Sequence, residues 1–382
     1  MGLLATNKAD FIKSFLELND EVEDSRQDSK LLYPLNEIVF LVISGVLAGA
    51  ESWRQIYNYG IIKLEFLRQY FPYQNGIPCK STICGTMGII EHSKFELWLY
   101  KWTSKFFKAF PGEIINIDGK SVKGSRTKNS KATHILNVFA NAQGMILAQR
   151  TVDKKTNEIS ELPELINDLN IEGATVTIDA IGCQTAITGK ITEKNANYFI
   201  GLKGNQPSLY DAGRYLFVDK DTRPEWFDYY SERNRGHGRI ERRKCWIALI
   251  PDWFKEQYSN WSGLQSICLI ESERHIIGGK RSIEQRFYIS SETLTAKQGF
   301  DYARAHWSIE NKVHYVLDVT FKEDASHIHN AAENMSVIRK IVLNLINKYK
   351  KITKSKCSTP SIRKQTGWSA TVANDVLGFL LT

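Results

Sequence analysis

Three carboxylates, far apart in the chain, have the surroundings that metal-assisted chemistry on a phosphate requires. Asp118 follows Glu113-Ile114-Ile115-Asn116-Ile117, a β-branched run that reads as a short buried strand ending at Asp118, with Pro111-Gly112 before it and Gly119 after it. Asp179 follows Thr175-Val176-Thr177-Ile178, a second run of the same design with small residues behind it. Open α/β sheets carry their chemistry at the carboxyl ends of strands. A single Asp-Gly after a strand is an ordinary turn dipeptide, but two such carboxylates on neighbouring strands are candidate ligands for a hard cation.

The third carboxylate, Glu310, lies in Ala305-His306-Trp307-Ser308-Ile309-Glu310-Asn311-Lys312-Val313-His314-Tyr315-Val316-Leu317-Asp318. Ile309, Val313, Val316 and Leu317 form one apolar helical stripe, and His306, Glu310 and His314 follow at i, i+4 and i+8 along its border. Glu310 is thus expected where the helix leaves the core, within reach of strand ends. Two other readings stay open: a solvated surface acid, and a separate metal site made of the two His and Glu310, for which the sequence offers no further ligand. Trp307 is expected in the core, with a base-stacking role as the competing reading. Asp318, Glu323 and Asp324 are substitute carboxylates.

Basic side chains gather around these positions. Lys120, Lys123 and Arg126 belong to the loop Lys120–Lys131, which contains no acid, and Lys203 closes another short run. The Gly-Lys-Ser at 119–121 imitates a phosphate-binding loop, but its spacing from Gly112 is too long. Arg233-Asn234-Arg235-Gly236-His237-Gly238-Arg239-Ile240-Glu241-Arg242-Arg243 carries five Arg and one Glu, and arginine forks match phosphate oxygens. The competing reading of that stretch is a solvated charged hairpin.

The elements that must position these groups follow a recognisable order. Strands are expected at Ile114–Asp118, His134–Ala140, Met145–Thr151, Ala174–Asp179 and Tyr198–Leu202, with helices at Ser160–Leu169 and Thr185–Glu193. Three hairpin-linked strands followed by alternating helices and strands form a ribonuclease H-like α/β arrangement with a mixed sheet. Residues 1–110 read as a helical N-terminal domain, with helices opening near Pro34, running from Ser52 to Tyr70, and capped by Ser93 with Glu96. The turn at Gly76-Ile77-Pro78 suits either a helix-turn-helix reader of DNA or plain helix packing. The catalytic domain spans 111–350, and at 208–290 the chain departs from its core in a β-rich insertion. A helix at Asn334–Tyr349 is expected to carry Arg339, Lys340, Lys348 and Lys350 near its wet face. Residues 351–382 form a basic tail packed only at Ala370–Leu381.

Bulk properties agree with this organisation. The 382 residues carry a net charge of +8, which suits a polyanionic partner. Six irregularly spaced cysteines suggest neither a zinc site nor a disulfide framework, so reduced cytosolic thiols are the default. The apolar run Ile38–Ala50 is too short for a membrane span, and the opening residues lack the pattern of a signal peptide.

Taken together, Ile117-Asp118-Gly119-Lys120, Ile178-Asp179-Ala180-Ile181-Gly182-Cys183-Gln184 and His306-Trp307-Ser308-Ile309-Glu310-Asn311 resemble the DDE transposases of bacterial insertion sequences. The Leu-Asp-Val-Thr-Phe-Lys-Glu-Asp segment at 317–324 is similar to the H-repeat-associated (ISAs1-like) branch. The resemblance implies a catalytic triad of Asp118, Asp179 and Glu310 that binds Mg2+ or Mn2+, two ions by expectation. It implies a β-rich insertion before the Glu helix, cleavage of transposon ends and strand transfer into target DNA. His306, with Arg304 nearby, stands where the related signature has Arg, and Leu317 where it has Lys.

DNA contacts are accordingly expected from Lys120, Lys123, Arg126, Lys203, Arg233, Arg235, Arg239, Arg242, Arg243, Arg304 and His306. The expected partners are transposon ends and target DNA, with a homodimer in the DNA complex and no membrane, in the bacterial cytosol near the nucleoid. A ribonuclease H-like nuclease that does not join, and a non-catalytic or recombination-promoting DNA-binding relic, are the alternatives.

Overall fold

The computed structural model describes residues 15–17, 21–26, 31–127, 130–153, 156–236 and 238–378. The first ten residues, Lys128 and Asn129 of the basic loop, His237 of the arginine-rich stretch and residues 379–381 lie outside these. In chain order, α1 (Leu35–Leu47), α2 (Trp53–Ile62), α3 (Leu64–Leu67), α4 (Lys80–Ile89) and α5 (His92–Ser104) precede the first strand. β1 (Ile114–Val122), β2 (Thr133–Ala140), β3 (Met145–Val152), α6 (Glu158–Asp168), β4 (Thr175–Ile178), α7 (Thr185–Glu193) and β5 (Asn197–Leu202) follow. Then come α8 (Pro207–Tyr215), β6 (Asp228–Gly236), β7 (Arg239–Leu249), α9 (Asp252–Gln257), β8 (Ser266–Ile276), β9 (Arg281–Ser290) and α10 (Ala296–His306). The chain finishes with α11 (Tyr315–Val319), α12 (Ala332–Thr353), α13 (Thr359–Trp368) and α14 (Ala370–Gly378).

These elements form two compact units: Met1–Phe107, Gly119–Asp153 and Glu310–Thr382 make one, and Lys108–Asp118 and Lys154–Ile309 the other. The chain therefore changes unit directly after Asp118 and directly before Glu310. Strand order runs β3-β2-β1 and, from β1 onward, β1-β4-β5-β9-β8-β7-β6. β2 and β3 are antiparallel, whereas β4 is parallel to β1 and β5 to β4. That is the ribonuclease H-like order, a mixed α/β sheet, with a helical N-terminal region ahead of it.

In the first unit α5 and α12 pack on β3, and α1 packs on α12. Phe95, Trp98 and Trp102 stack along α5 at centroid spacings of 5.5 and 5.8 Å, and all three are buried. The expected helix from Ser52 to Tyr70 is interrupted at Lys63, giving α2 and α3. The expected capping box of Ser93 and Glu96 does not form. α5 starts two residues earlier, at His92, Ser93 bonds Glu91, and Glu96 is buried with its carboxylate accepting from the Thr151 hydroxyl at 2.6 Å and from Gln149 at 2.9 Å. A long-range partner on β3 outcompetes the local cap.

In the second unit the 208–290 stretch does not depart from the sheet but extends it. β9 pairs antiparallel with β5 from Phe199↔Ser290 to Leu202↔Phe287, and β8, β7 and β6 follow in successive antiparallel pairs. α10 opens on a capping box in which Thr295 and Gln298 satisfy each other's backbone N–H groups. It packs on β6 and β7 over a core of Phe199, Cys245, Ile247, Cys268, Ile270, Tyr288 and Phe300.

Candidate active site

Two carboxylates emerge from neighbouring strands of the second unit in matching positions. β1 and β4 pair in parallel from Ile114↔Thr175 to Ile117↔Ile178, so Asp118 and Asp179 each follow the last paired residue. Adjacent strands are spaced about 4.8 Å apart, which sets the two residues at the same height on neighbouring strands of the carboxyl edge. β1 itself does not end there as the sequence suggests. It runs on to Val122, because after leaving β4 it still has β2 beside it.

β4 does end, and the way it ends orients Asp179. Asp179 is the cap of a short 3₁₀ turn, Ala180–Gly182, and its Oδ1 accepts from the Ile181 N–H at 2.8 Å. Only glycine fits the close of that turn, because a Cβ on Gly182 would lie 2.4 Å from Ile178 Cγ2. Asn205 donates to Ala180 O at 2.7 Å and Gln206 to Cys183 O at 2.9 Å, tying the loop after β5 to the same turn. Asp179 is exposed and Asp118 half-buried.

The strands are also fastened to the end of α10. Asn116 is fully buried on β1 and donates to Ala305 O and, at 3.1 Å, to His306 O. Thr177, its neighbour on β4, meets His306 Nδ1 at 3.1 Å. His306 thus secures α10 to the sheet, and Arg304 pairs with Glu232 at 2.7 Å. Trp307 is not a core residue: it is 48% exposed, with the Arg286 guanidinium 4.4 Å above its ring.

In the first unit Glu310 opens a π-helical turn, Glu310–His314, where a continuous α-helix was expected. Such turns concentrate at functional sites. The Glu310 side chain is 58% exposed, while His314 is buried. His314 Nδ1 lies 3.0 Å from Glu310 Oε2, and its Nε2 lies 3.3 Å from the Asn137 amide nitrogen on β2. Asn137 donates to Nε2, so the ring proton sits on Nδ1 and is given to the carboxylate. Burial pushes the His314 pKa down, against the opposing pull of Glu310, and favours the neutral ring this arrangement needs. Glu310 is oriented through Oε2, which leaves Oε1 outside that bond.

Lys120 occupies quite different surroundings from those a phosphate contact requires. It is nine-tenths buried, and its Nζ meets Asp318 at 2.7 Å and Glu323 and Asp324 at 3.2 Å each. The three substitute carboxylates are therefore all engaged with one lysine. Glu323 is fully buried; burial opposes its charge, but Lys340, Arg339 and Lys120 outweigh that and hold its pKa at about 2. Burial pushes the Lys340 pKa down to about 8, and the neighbouring Lys120 and Arg339 add to that against the pull of Glu323 and Glu96. Arg339 and Lys340, expected on the wet face of α12, are buried at 4% and 1% exposure because Glu323 and Gln149 receive them inside.

The remaining basic candidates divide in two. Lys123, Arg126, Lys203, Arg233, Arg235 and Arg242 are exposed. Arg239 and Arg243 are half-buried and both pair with Glu241.

Residues 109–345 match the family model described as Transposase DDE domain, and residues 16–103 match the one described as DDE_Tnp_1-associated. The chain belongs to the DDE transposase family. It is 37% identical over 347 residues to the Putative transposase YncI of Escherichia coli O157:H7, an alignment covering 89% of each protein. It is 35% identical over 342 residues to the H repeat-associated putative transposase YhhI of Escherichia coli strain K12, covering 88% of this chain and 90% of that one. Among solved structures, a cryo-EM structure of piggyBac transposase synaptic complex with hairpin DNA aligns with a TM-score of 0.48 at 10% identity, over 96% of this chain and 80% of that one.

For a member of the DDE transposase family, the supporting residues were the ones the sequence concealed. Asn116, Thr177 and Asn137 stand as polar residues inside apolar strand runs, and that interruption was the available signal. No described helix is long and apolar enough to cross a membrane.

Proposed function

We propose that this chain cleaves the ends of a DNA element and joins them to target DNA, with Asp118, Asp179 and Glu310 as its metal-holding carboxylates. The parallel register that ends at Ile117↔Ile178 carries the reading, since it delivers Asp118 and Asp179 side by side. The donor set fits: Asp179 keeps Oδ2 after capping its turn, Glu310 keeps Oε1 beyond its bond to His314, and carboxylate oxygens suit Mg2+ or Mn2+. One or two divalent ions bound there would activate the attacking water or 3′-hydroxyl and stabilise the leaving oxygen.

The protein's own part is to aim these oxygens. The Asp179 turn, the His314 brace on Glu310 and the anchoring of α10 through Asn116 and Thr177 fix the carboxylates before substrate arrives. Lys123, Arg126 and Lys203 are exposed and contact phosphates in this reading, and the helices of residues 1–110 read the terminal sequence. Residues 111–350, with their insertion, act as the catalytic domain, followed by the basic tail 351–382. The protein works as a homodimer on paired ends, in the cytosol.

The test is cleavage of supercoiled plasmid bearing the element's ends, with Mg2+ or Mn2+, comparing wild type with Glu310→Gln. Metal-dependent nicking that disappears in the variant while DNA binding persists is the expected result. Nicking that survives in Glu310→Gln would remove Glu310 from the site. Cleavage without joining of a labelled end to a second plasmid would leave a nuclease, and binding without cleavage a non-catalytic DNA-binding protein.

A further inference from the structure

The sheet of the second unit outruns its own core. Over residues 231–244 and 271–286 the four strands β6, β7, β8 and β9 are exposed or half-buried, whereas their other ends, such as Cys245–Ala248, Ser266–Ile270 and Phe287–Ser290, are buried. Because Leu202, the end of β5, pairs with Phe287, the exposed part of β9 extends past the carboxyl end of β5. This arm holds ten Arg and Lys against five Glu.

The two faces of the arm treat those charges differently. Strand alternation and register put Tyr230, Glu232, Arg239, Glu241, Arg243, Arg274, Glu284 and Arg286 on the face toward α10. There Glu241 takes Arg239 and Arg243, Glu284 takes Arg286, and Glu232 takes Arg304 of α10 itself. Asn116 and Thr177, which bond the end of α10, lie on this side of the sheet, and Asp118 and Asp179 follow each of them by two residues. The face toward α10 is thus the face of the carboxylates, and three of the arm's four arginines on it, Arg239, Arg243 and Arg286, pair with glutamates.

The opposite face carries Arg233, Arg235, Arg242, Lys244 and Arg281. Lys244 pairs with Glu271 and Arg281 with Glu273. Glu273, directly across from Arg242, is thereby occupied, and Arg242's other neighbour is Arg233, directly opposite it on β6. Arg235 lies one step further along the same face. Like charges set opposite each other across a sheet are destabilising, so folding alone gives no reason to gather them here. A row of exposed arginine forks with no carboxylate between them suits the phosphates of a nucleic-acid backbone.

We propose that this bare outer face binds the sugar–phosphate backbone of a second DNA duplex, distinct from the one cut at the carboxylates on the opposite side of the sheet. The inference rests on the transposase reading above. One arm would then handle two DNA segments, the first on the α10 side and the second on Arg233, Arg235 and Arg242.

The experiment uses the full-length protein saturated with a duplex of the element's end, to which a second, labelled duplex of unrelated sequence is titrated at several salt concentrations. Wild type should bind the second duplex, and Arg233→Ala/Arg235→Ala/Arg242→Ala should lose that binding, with the slope of log K against log salt smaller by about 3. Binding of the end duplex should be unchanged in the triple variant, as should binding of the second duplex in Arg239→Ala/Arg243→Ala. An unchanged Tm of the triple variant excludes loss by unfolding. Retained binding of the second duplex overturns the proposal, and so does equal weakening of both duplexes, which would put the cleaved DNA on this face. Either failure leaves plasmid cleavage intact, whereas failure of the transposase reading abolishes cleavage in wild type as well.

Discussion

The buried ionic cluster of the first unit and the arginine face of the second use the same side chains for opposite ends. Lys120, Arg339 and Lys340 surround Glu323, a fully buried carboxylate, and tie β1, the 318–324 segment and α12 together. Arg233, Arg235 and Arg242 stand in solvent with no carboxylate of their own. Cationic residues in a basic protein are therefore not interchangeable as nucleic-acid contacts. What separates the two groups is whether an acid has been buried for them, and that acid is distant in sequence.

The comparison breaks most visibly at Glu323. Glu323→Gln removes the fully buried acid that Arg339, Lys340 and Lys120 share, and denaturant unfolding should show a loss of about 3–5 kcal/mol. If the variant unfolds at the wild-type midpoint, the cluster does not hold the first unit together.

Acid provides a second route to the same carboxylate. The folded-state pKa of Glu323 is depressed, so its contribution is fully present above the unfolded value of 4.5 and is lost as pH falls through the folded value of about 2. The loss on crossing that window is on the order of 3 kcal/mol. Thermal melts between these pH values should show it in wild type and not in Glu323→Gln.

A smaller effect is expected at the brace on Glu310. His314→Phe keeps a ring in the buried site but removes the proton given to Oε2, and metal-dependent nicking should drop about 10- to 100-fold, as for other partners that orient metal ligands. Circular dichroism and DNA binding should stay at wild-type levels; full activity would mean that Glu310 needs no brace.

Smallest of all should be the stability change on the outer face. Arg242→Gln is expected to alter unfolding free energy by no more than about 0.5 kcal/mol, or to raise it by relieving Arg233. A loss as large as that of Glu323→Gln would erase the distinction between the two regions.

Much of the fold was legible because its signals are local. β-branched runs marked β1 to β5, and Thr295 with Gln298 marked the start of α10. Ser93 and Glu96 carried the same kind of signal and misled, since Glu96 serves Thr151 and Gln149 on β3. The burial of Lys120, Arg339 and Lys340 was hidden for a related reason: the acid they share, Glu323, is buried only by the assembled unit. The π-helical turn at Glu310 had no local mark, and neither did the pairing of β9 with β5, which turned an apparent departure into the continuation of the sheet. The positions of Asp118 and Asp179 after their β-branched runs were readable, but their equivalent heights depend on strand register, which pairing alone supplies.

That register makes Asp179→Asn the most direct probe of the account. The variant keeps a turn-capping oxygen for Ile181 but removes the charge beside Asp118. With Mg2+ or Mn2+ and plasmid carrying the element's ends, Asp179→Asn should bind end DNA like wild type and show no metal-dependent nicking. Nicking at the wild-type rate by Asp179→Asn would contradict it.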